Sequence, residues 1–299
     1  MADSQPTSFV TAPPDEELVG LALAGQSSAL ETLLSRHQRW LYNVAFRVLQ
    51  SPADAEDATQ ESLLKIATRL ATFRGESAFR TWAYGIAMRH LLDRKRSRPE
   101  LSVASFDCYG DYLARAADEE PADLSATPAD AQLIVEEAKQ VCLLGMLLCL
   151  DREQRLVFVL GDLLGVSDTL GAEVLALSPD NFRQRLSRAR RQLLEFAQGH
   201  CGLVDSGNRC RCARKTRAFI RDGIVDPERL LFARPHLARM EEASSRGRAA
   251  FERAAFERAI ETAGVALWRE QHILEPPDLV ARLRCVLSSD ALRSAMQVP

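Results

Sequence analysis

The polar and apolar positions of this chain repeat with the spacing of amphipathic helices. Between residues 30 and 48 one stripe follows the i, i+3, i+4, i+7 rule over five turns. Ser51 and Pro52 then supply a cap and a first-turn proline for a second helix that runs to about Thr72. A third helix is predicted from Ser77. No segment alternates as a strand would, so the pattern predicts an all-α fold.

Helical periodicity stops at residue 99 and returns at about residue 131. Residues 99–130 contain Pro121 and Pro128 and predict an extended or disordered linker. Beyond it, the apolar stretch Leu133–Leu148 predicts a helix, and Asp151 begins another over about 155–164. The chain therefore divides into four parts: 15–98, a linker over 99–130, a helical unit over 131–198, and an extension over 199–299.

A short helix and a longer helix in the third part have the spacing of a helix-turn-helix. Ser167 and the Ser178–Pro179 pair predict the two helix starts, and Ala176, Leu177 and Ser178 form a tight turn between them. The second helix has a narrow apolar stripe and a broad polar surface. We predict that this surface contacts DNA through the following residues: Asn181, Arg183, Gln184, Arg185, Ser187, Arg188 and Arg190. The alternative is a helical hairpin with an arginine-rich outer face.

Composition limits the class of protein. The chain has 299 residues, of which 46% are hydrophobic and 26% are charged, as is typical of a globular protein. Its longest apolar run, residues 141–150, is half of the ~20 residues that a membrane-spanning helix needs. The N-terminus lacks the pattern of a signal peptide. We therefore expect a cytoplasmic protein without a membrane partner.

The net charge of −3 hides a strong segregation of charge. Residues 71–98 carry seven basic and two acidic side chains, and residues 181–221 carry eleven and two. Between these blocks, residues 99–130 carry one basic and eight acidic side chains. Two separate basic blocks indicate two contacts with one polyanion, although solvated helix faces would give the same count.

The helix after Pro52 carries an acidic stripe opposite its apolar face. Its members lie within a narrow sector of the helical wheel and are Asp54, Asp57, Gln60 and Glu61. Such a stripe is either a solvated surface or a docking face for a basic protein.

The next helix interleaves aromatic and basic side chains. Rings can stack on unpaired bases while guanidinium groups hold phosphates, and the alternative is that the rings belong to the core. The residues predicted to contact DNA here are Arg80, Trp82, Tyr84, Arg89, Arg94, Lys95 and Arg96.

Four potential metal ligands fall within thirteen residues of the extension, namely His200, Cys201, Cys210 and Cys212. Imidazole and thiolates at this density predict a zinc or copper site. A redox thiol pair, or cysteines without a special role, are the alternatives. We expect no other cofactor. Past residue 227, helices are predicted over about 249–260 and from about Pro277.

Together, these motifs resemble the extracytoplasmic-function (ECF) sigma factors of bacterial RNA polymerase over about residues 15–197. Residues 51–61 resemble that family's signature for docking on the β′ clamp helices, which implies this role for the acidic stripe. Residues 73–87 resemble the segment that melts and reads the −10 promoter element, and residues 177–190 resemble the recognition helix for the −35 element. The acidic linker would then thread the RNA-exit channel.

Two departures from the family's pattern concern the DNA contacts. Arg89 stands where the family commonly has asparagine, so no −10 base preference is implied. Gly171 lies inside the first helix of the helix-turn-helix, and Ala176 replaces the usual turn glycine. Because glycine costs about 1 kcal/mol relative to alanine in a helix, we expect weaker or unusual −35 binding.

The resemblance implies core polymerase and promoter DNA as partners, with an anti-sigma factor as a further candidate, and a regulatory role for residues 199–299. It implies no catalytic residues. The alternative function is a stand-alone helix-turn-helix regulator, which would leave the acidic stripe and the linker without a role. An enzyme is disfavoured because the His200–Cys212 cluster has no acidic base nearby.

Overall fold

The computed structural model describes residues 13–96, 98–103, 105–116, 128–232, 274–289 and 292. Every regular element within these ranges is helical and none is a strand, which confirms the all-α prediction. No helix among them is long and apolar enough to cross a membrane.

The N-terminal part contains four helices: α1 (Asp15–Leu23), α2 (Ser27–Leu49), α3 (Pro52–Thr68) and α4 (Phe79–Asp93). Two short helices and a long one follow: α5 (Arg98–Ser102), α6 (Phe106–Arg115) and α7 (Pro128–Leu148). The remaining helices are α8 (Arg152–Phe158), α9 (Asp168–Leu175), α10 (Pro179–His200), α11 (Cys212–Arg221) and α12 (Leu279–Leu287).

Side-chain caps fix several of the predicted helix starts. The hydroxyl oxygens of Ser51, Ser167 and Ser178 each accept a hydrogen bond from the backbone N–H three residues later, at 3.2–3.3 Å. The Asp151 carboxylate accepts one from the Gln154 N–H at 2.8 Å. These bonds satisfy N–H groups that have no partner within the helix.

Three element predictions were wrong in detail. Helix α4 begins at Phe79, two residues after the predicted start at Ser77, and it has no side-chain cap. The linker is not extended throughout, since α5 and α6 lie within it and Ser105 caps α6. The predicted helix over 155–164 changes after Phe158 into a π-helical turn, Val159–Leu163.

Residues 117–127 and the helix predicted over 249–260 lie outside the described residues. The predicted last helix is present as α12, capped by Asp278.

The buried apolar side chains of all these parts form one continuous core. Helix α2 is central and packs on α1, α3 and α4. Helix α10 packs on α8 and α9, and α11 packs on α7. Helix α4 also packs against α9, so the predicted helix-turn-helix lies directly on the aromatic and basic helix.

Candidate functional site: an acidic face, an aromatic helix and a helix-turn-helix

The acidic stripe lies on the exposed side of α3. Asp57 and Glu61 are exposed and Asp54 and Gln60 are partly exposed, while the opposite face of the helix is buried by Leu63 and its neighbours. The structure therefore brings the four predicted docking residues together on one accessible face.

Glu61 also joins α3 to the end of α4. Its carboxylate lies 2.9 Å from His90 Nε2 and 3.0 Å from Arg94 Nη1. Lys65 Nζ lies 2.5 Å from His90 Nδ1. Since an ammonium can only donate, Nδ1 accepts from Lys65 in a neutral ring, and Nε2 makes no hydrogen bond to Glu61 despite their short distance. Burial, and then the Lys65 charge, lower the pKa of His90, which favours this neutral ring.

The aromatic residues of α4 belong largely to the core. Tyr84 stacks on Trp40 with ring centroids 3.8 Å apart, and its hydroxyl lies 3.1 Å from His37 Nδ1. Burial raises the pKa of Tyr84 to about 12. Trp82 packs against Phe73 and Phe79 and remains partly exposed. Both aromatic rings predicted to meet DNA, Trp82 and Tyr84, are therefore packed against the core and only partly exposed.

The basic side chains of this segment lie at the surface. Arg80, Arg89, Lys95 and Arg96 are exposed, and Arg94 is partly exposed through its pairing with Glu61. They remain accessible to a phosphate backbone.

The helix-turn-helix has the predicted geometry around Ala176. This residue adopts a left-handed backbone conformation with φ of 53°, in the tight turn between α9 and α10. Such a conformation is strained for a residue with a Cβ. The turn glycine that the family uses would adopt it without strain.

Gly171 is required by close packing, which its sequence context did not reveal. A Cβ at this position would lie 2.6 Å from two ring atoms of Phe182, which is fully buried in α10. The glycine lets the two helices of the motif approach each other.

The polar face of α10 is exposed, but several of its arginines have acidic partners within the chain. Arg183 pairs with Asp168 and Asp180, and Arg185 pairs with Glu153. Arg190 donates two hydrogen bonds, of 2.7 and 2.8 Å, to the fully buried carboxylate of Asp162. The other predicted contacts, Asn181, Gln184, Ser187 and Arg188, are at least partly exposed.

The four predicted metal ligands do not form a metal site. Among the residues that the structure describes, which include all four, no group of three or more His, Cys, Asp or Glu side chains could hold a metal ion. His200 stacks on Phe196 at 4.3 Å and its Nδ1 lies 3.0 Å from the Phe196 carbonyl oxygen. Cys201 is buried, and burial raises the pKa of Cys212 to about 12. This arrangement therefore gives no support to the predicted zinc or copper ion at His200, Cys201, Cys210 and Cys212.

Sequence reasoning missed a buried ionic network behind these surfaces. Glu100 pairs with Arg155 at 2.9 Å and with Arg152 at 2.5 Å. Arg155 also donates to backbone carbonyls of Val48 and of the α7–α8 junction. No local motif signals this network, since its members are up to 107 positions apart.

Comparison with known proteins agrees with this architecture. The Sigma-70 region 2 family model matches residues 33–99. The chain is 28% identical to the ECF RNA polymerase sigma factor SigM of Mycobacterium tuberculosis over 180 residues, 60% of this chain and 82% of that protein. It is likewise 28% identical to the ECF RNA polymerase sigma-E factor of Salmonella typhimurium over 180 residues, 59% of this chain and 90% of that protein.

A third relative is the RNA polymerase sigma-H factor of Pseudomonas aeruginosa. It is 32% identical over 103 residues, which cover 33% of this chain and 53% of that protein. Sigma factors of this kind are initiation factors that direct RNA polymerase to promoters. The chain is therefore similar to extracytoplasmic-function sigma factors over about 60% of its length, and its residues 33–99 match Sigma-70 region 2.

Proposed function

We propose that this chain binds core RNA polymerase through the exposed face of α3 and directs it to promoters with two DNA-contacting surfaces. The observation that carries the proposal is the presence of an acidic docking face, a basic helix and a helix-turn-helix in one chain, in the order that the family uses. A stand-alone DNA-binding regulator needs only the last of these.

The division of labour follows from the surfaces. Residues 15–98 would dock on the β′ clamp helices through Asp54, Asp57, Gln60 and Glu61. Trp82, Arg80, Arg89, Lys95 and Arg96 would face the −10 element, because rings stack on unpaired bases and cationic groups bind phosphates. Residues 99–130 would run through the RNA-exit channel.

The helix-turn-helix within residues 131–198 would read the −35 element in the major groove. Asn181 and Gln184 sit near the exposed N-terminal part of α10, where side chains of a recognition helix reach base edges. Arg188 would bind phosphate. The ion pairs of Arg183 and Arg185 are largely solvent-exposed, so they contribute little to the free energy of unfolding. DNA phosphates can therefore replace their carboxylate partners.

The chemistry of transcription would belong to the polymerase, so we propose that the chain itself is not an enzyme and acts in the cytoplasm with its polymerase. Promoter DNA is its second partner. An anti-sigma factor is a third, for which the exposed faces of α3 and α10 are the available surfaces.

Asp57→Lys is the sharpest test of the docking face. Asp57 is exposed, whereas the Glu61 carboxylate also contacts His90 and pairs with Arg94. A change at Asp57 therefore tests polymerase docking without removing these contacts between α3 and α4. We expect Asp57→Lys to weaken binding to core polymerase by at least tenfold, as charge reversal in an interface costs several kcal/mol. Glu17→Lys, an exposed reversal on α1, is the matched control. Equal affinities of the two variants, measured by fluorescence anisotropy, would remove α3 from the interface.

A further inference from the structure

Two arginines at the start of α8 share one buried carboxylate. Glu100, on α5 within the linker, pairs with Arg155 at 2.9 Å and with Arg152 at 2.5 Å. The exposed fraction of the side chain is 3% for Glu100, 4% for Arg155 and 13% for Arg152. Charges buried this deeply are stable only when they are paired and hydrogen-bonded. These three side chains, here named the latch, therefore hold α5 and α8 together.

The latch also joins α8 to the N-terminal helices. Arg152 donates to the carbonyl oxygens of Leu91 and Arg94 at the end of α4, at 3.1 and 2.5 Å. Arg155 donates to the carbonyl oxygen of Val48 at the end of α2, at 2.6 Å. The last carbonyl groups of a helix have no partner within it, so the two guanidinium groups supply the missing donors. Moving α8 away from α4 and α2 would break these bonds.

Helix α9 packs on the same helix α4. A Cβ at Gly85 of α4 would be 3.5 Å from the Val174 carbonyl oxygen of α9, so the two backbones approach closely. We name this packing of α8 and α9 on α4 the closed arrangement. It places the helix-turn-helix against the aromatic and basic helix, which are the two elements proposed to contact DNA.

The described part of the linker is folded onto the closed arrangement. Beyond Glu100, the Tyr109 hydroxyl of α6 donates to the Cys142 carbonyl oxygen of α7 at 3.0 Å. The Tyr109 ring packs against Phe196 of α10 with centroids 6.0 Å apart, and Leu113 of α6 is buried as well. An extended linker would give up these contacts, so extending the linker and keeping the latch closed are alternatives.

The closed arrangement is too compact for the proposed function. Elements centred 10 and 35 base pairs upstream of the start are separated by about 85 Å at a rise of 3.4 Å per base pair. Packed helices lie only about 8–10 Å apart. The unit of α8, α9 and α10 must therefore leave α4 before one molecule can reach both elements.

We propose that the latch is autoinhibitory: the first half of the linker holds α8, α9 and α10 on α4, and extension of the linker opens the molecule. When the linker runs through the RNA-exit channel, Glu100 leaves Arg152 and Arg155 as buried charges without a counter-charge, which destabilises the closed arrangement. Core polymerase is then the partner that opens the factor. The inhibitory consequence rests on the proposed function, whereas opening itself can be measured without polymerase.

Arg152→Ala in the full chain is the test variant. It removes the bonds to the α4 carbonyl groups, while Arg155 remains as the partner of Glu100. Arg152→Lys is a milder second variant, because lysine keeps the charge but not the planar fork of donors. Arg191→Ala on α10 is the matched control, since the Arg191 side chain is 68% exposed and its partner Glu195 lies on the same helix.

Circular dichroism, hydrogen exchange and X-ray scattering measure opening without polymerase. We expect Arg152→Ala to keep its helical signal, to exchange at least tenfold faster in residues 98–103, α4 and α9, and to have a larger radius of gyration. Its affinity for core polymerase, measured by fluorescence anisotropy, should rise at least fivefold, because apparent affinity increases with the fraction of molecules already open. Arg191→Ala should match the wild type in every measurement.

The proposal is overturned if Arg152→Ala keeps its helices while α4 and α9 stay protected and the radius of gyration is unchanged. Opening of α4 and α9 with residues 98–103 still protected would exclude the linker, and equal polymerase affinities of the open variant and the wild type would exclude autoinhibition. If Arg152→Ala loses its helical signal, Arg152→Lys decides by the same criteria, with at least threefold faster exchange expected. If the molecule opens but neither form binds polymerase, the latch stands as a contact between the two halves and the proposed function fails.

Discussion

At the scale of single residues, Gly171 shows packing overriding helix propensity. Propensity alone treats a glycine inside α9 as a defect of about 1 kcal/mol. The structure gives it a reason, because the ring of Phe182 occupies the space that a Cβ would fill. Phe182 is fully buried and has no free volume into which to retreat.

We therefore predict that Gly171→Ala lowers the free energy of unfolding by about 1–3 kcal/mol, the usual cost of overpacking. Gly20→Ala in α1 is the matched control, since a Cβ at that position would have nothing within 4 Å, and it should stabilise by about 0.5–1 kcal/mol. Urea denaturation of both variants gives the comparison. Stabilisation by Gly171→Ala would contradict the close approach of α9 and α10.

The cysteines give a second prediction at this scale. Burial raises the pKa of Cys149 and of Cys212 to about 12, and that of Cys142 well above its usual value. Only the thiolate is nucleophilic, and a pKa about three units higher leaves about a thousandfold less of it at neutral pH. These three thiols should react with iodoacetamide at least ~100-fold more slowly than the exposed Cys108.

Site-resolved mass spectrometry of the alkylated native protein measures these rates. Labelling of Cys212 as fast as Cys108 would show that the Cys212 thiol is accessible and charged, and would reopen the redox pair as an interpretation of the extension.

At the scale of elements, α10 divides its arginines between structure and DNA. Arg190 is bonded to a carboxylate that is fully buried in the π-helical turn after α8, whereas Arg188 is exposed. Both belong to the same basic surface in the sequence. Only the structure separates them, because the partner Asp162 is 28 positions away.

We predict that Arg190→Ala destabilises the protein by about 1–3 kcal/mol, the cost of removing two charge-assisted hydrogen bonds from a buried carboxylate. Arg188→Ala should leave stability within about 0.5 kcal/mol, as expected for an exposed side chain. It should weaken DNA binding, and the slope of log affinity against log salt concentration should fall by about one. Thermal unfolding and anisotropy titrations at several salt concentrations distinguish the two. Equal stability of both variants would contradict the structural role of Arg190.

The elements that carry a local signal were predictable from sequence. Capping residues and helical periodicity located α2, α3, α9 and α10, because their bonds lie within three or four residues. The interpretation of 99–130 as a linker missed α5 and α6, although Ser105 caps α6 and its residues Phe106, Tyr109 and Leu113 follow helical spacing. Helix α4 begins at Phe79 rather than at the predicted Ser77, and Ala78 precedes it without a side-chain cap.

At the scale of the whole molecule, the order of the surfaces was predictable but their mutual arrangement was not. The acidic stripe needs only the geometry of one helix, and it lies on an accessible face as predicted. The packing of α9 on α4, the Glu100 network and the hydrogen bonds of Asn43 with the Leu274 backbone join residues that are up to 231 positions apart. No local pattern encodes such contacts, since they depend on how whole helices pack.

The same distinction explains the outcome for the extension. A dense run of His and Cys resembles a ligand set in sequence, but ligands must converge in space. In the structure the His200 ring stacks on Phe196 at the end of α10. Cys201 is buried, and its carbonyl oxygen accepts hydrogen bonds within the turn that follows α10. The described parts of the extension instead contact α7, α2 and α3, so its place in the molecule is defined by packing.

The central claim is that this chain directs core polymerase to specific start sites, and run-off transcription tests it most directly. The template is a pool of genomic fragments from the bacterium that encodes the chain, and transcript 5′ ends are mapped. Core polymerase with the chain should produce discrete start sites that core polymerase alone does not. The same start sites with and without the chain would contradict the claim.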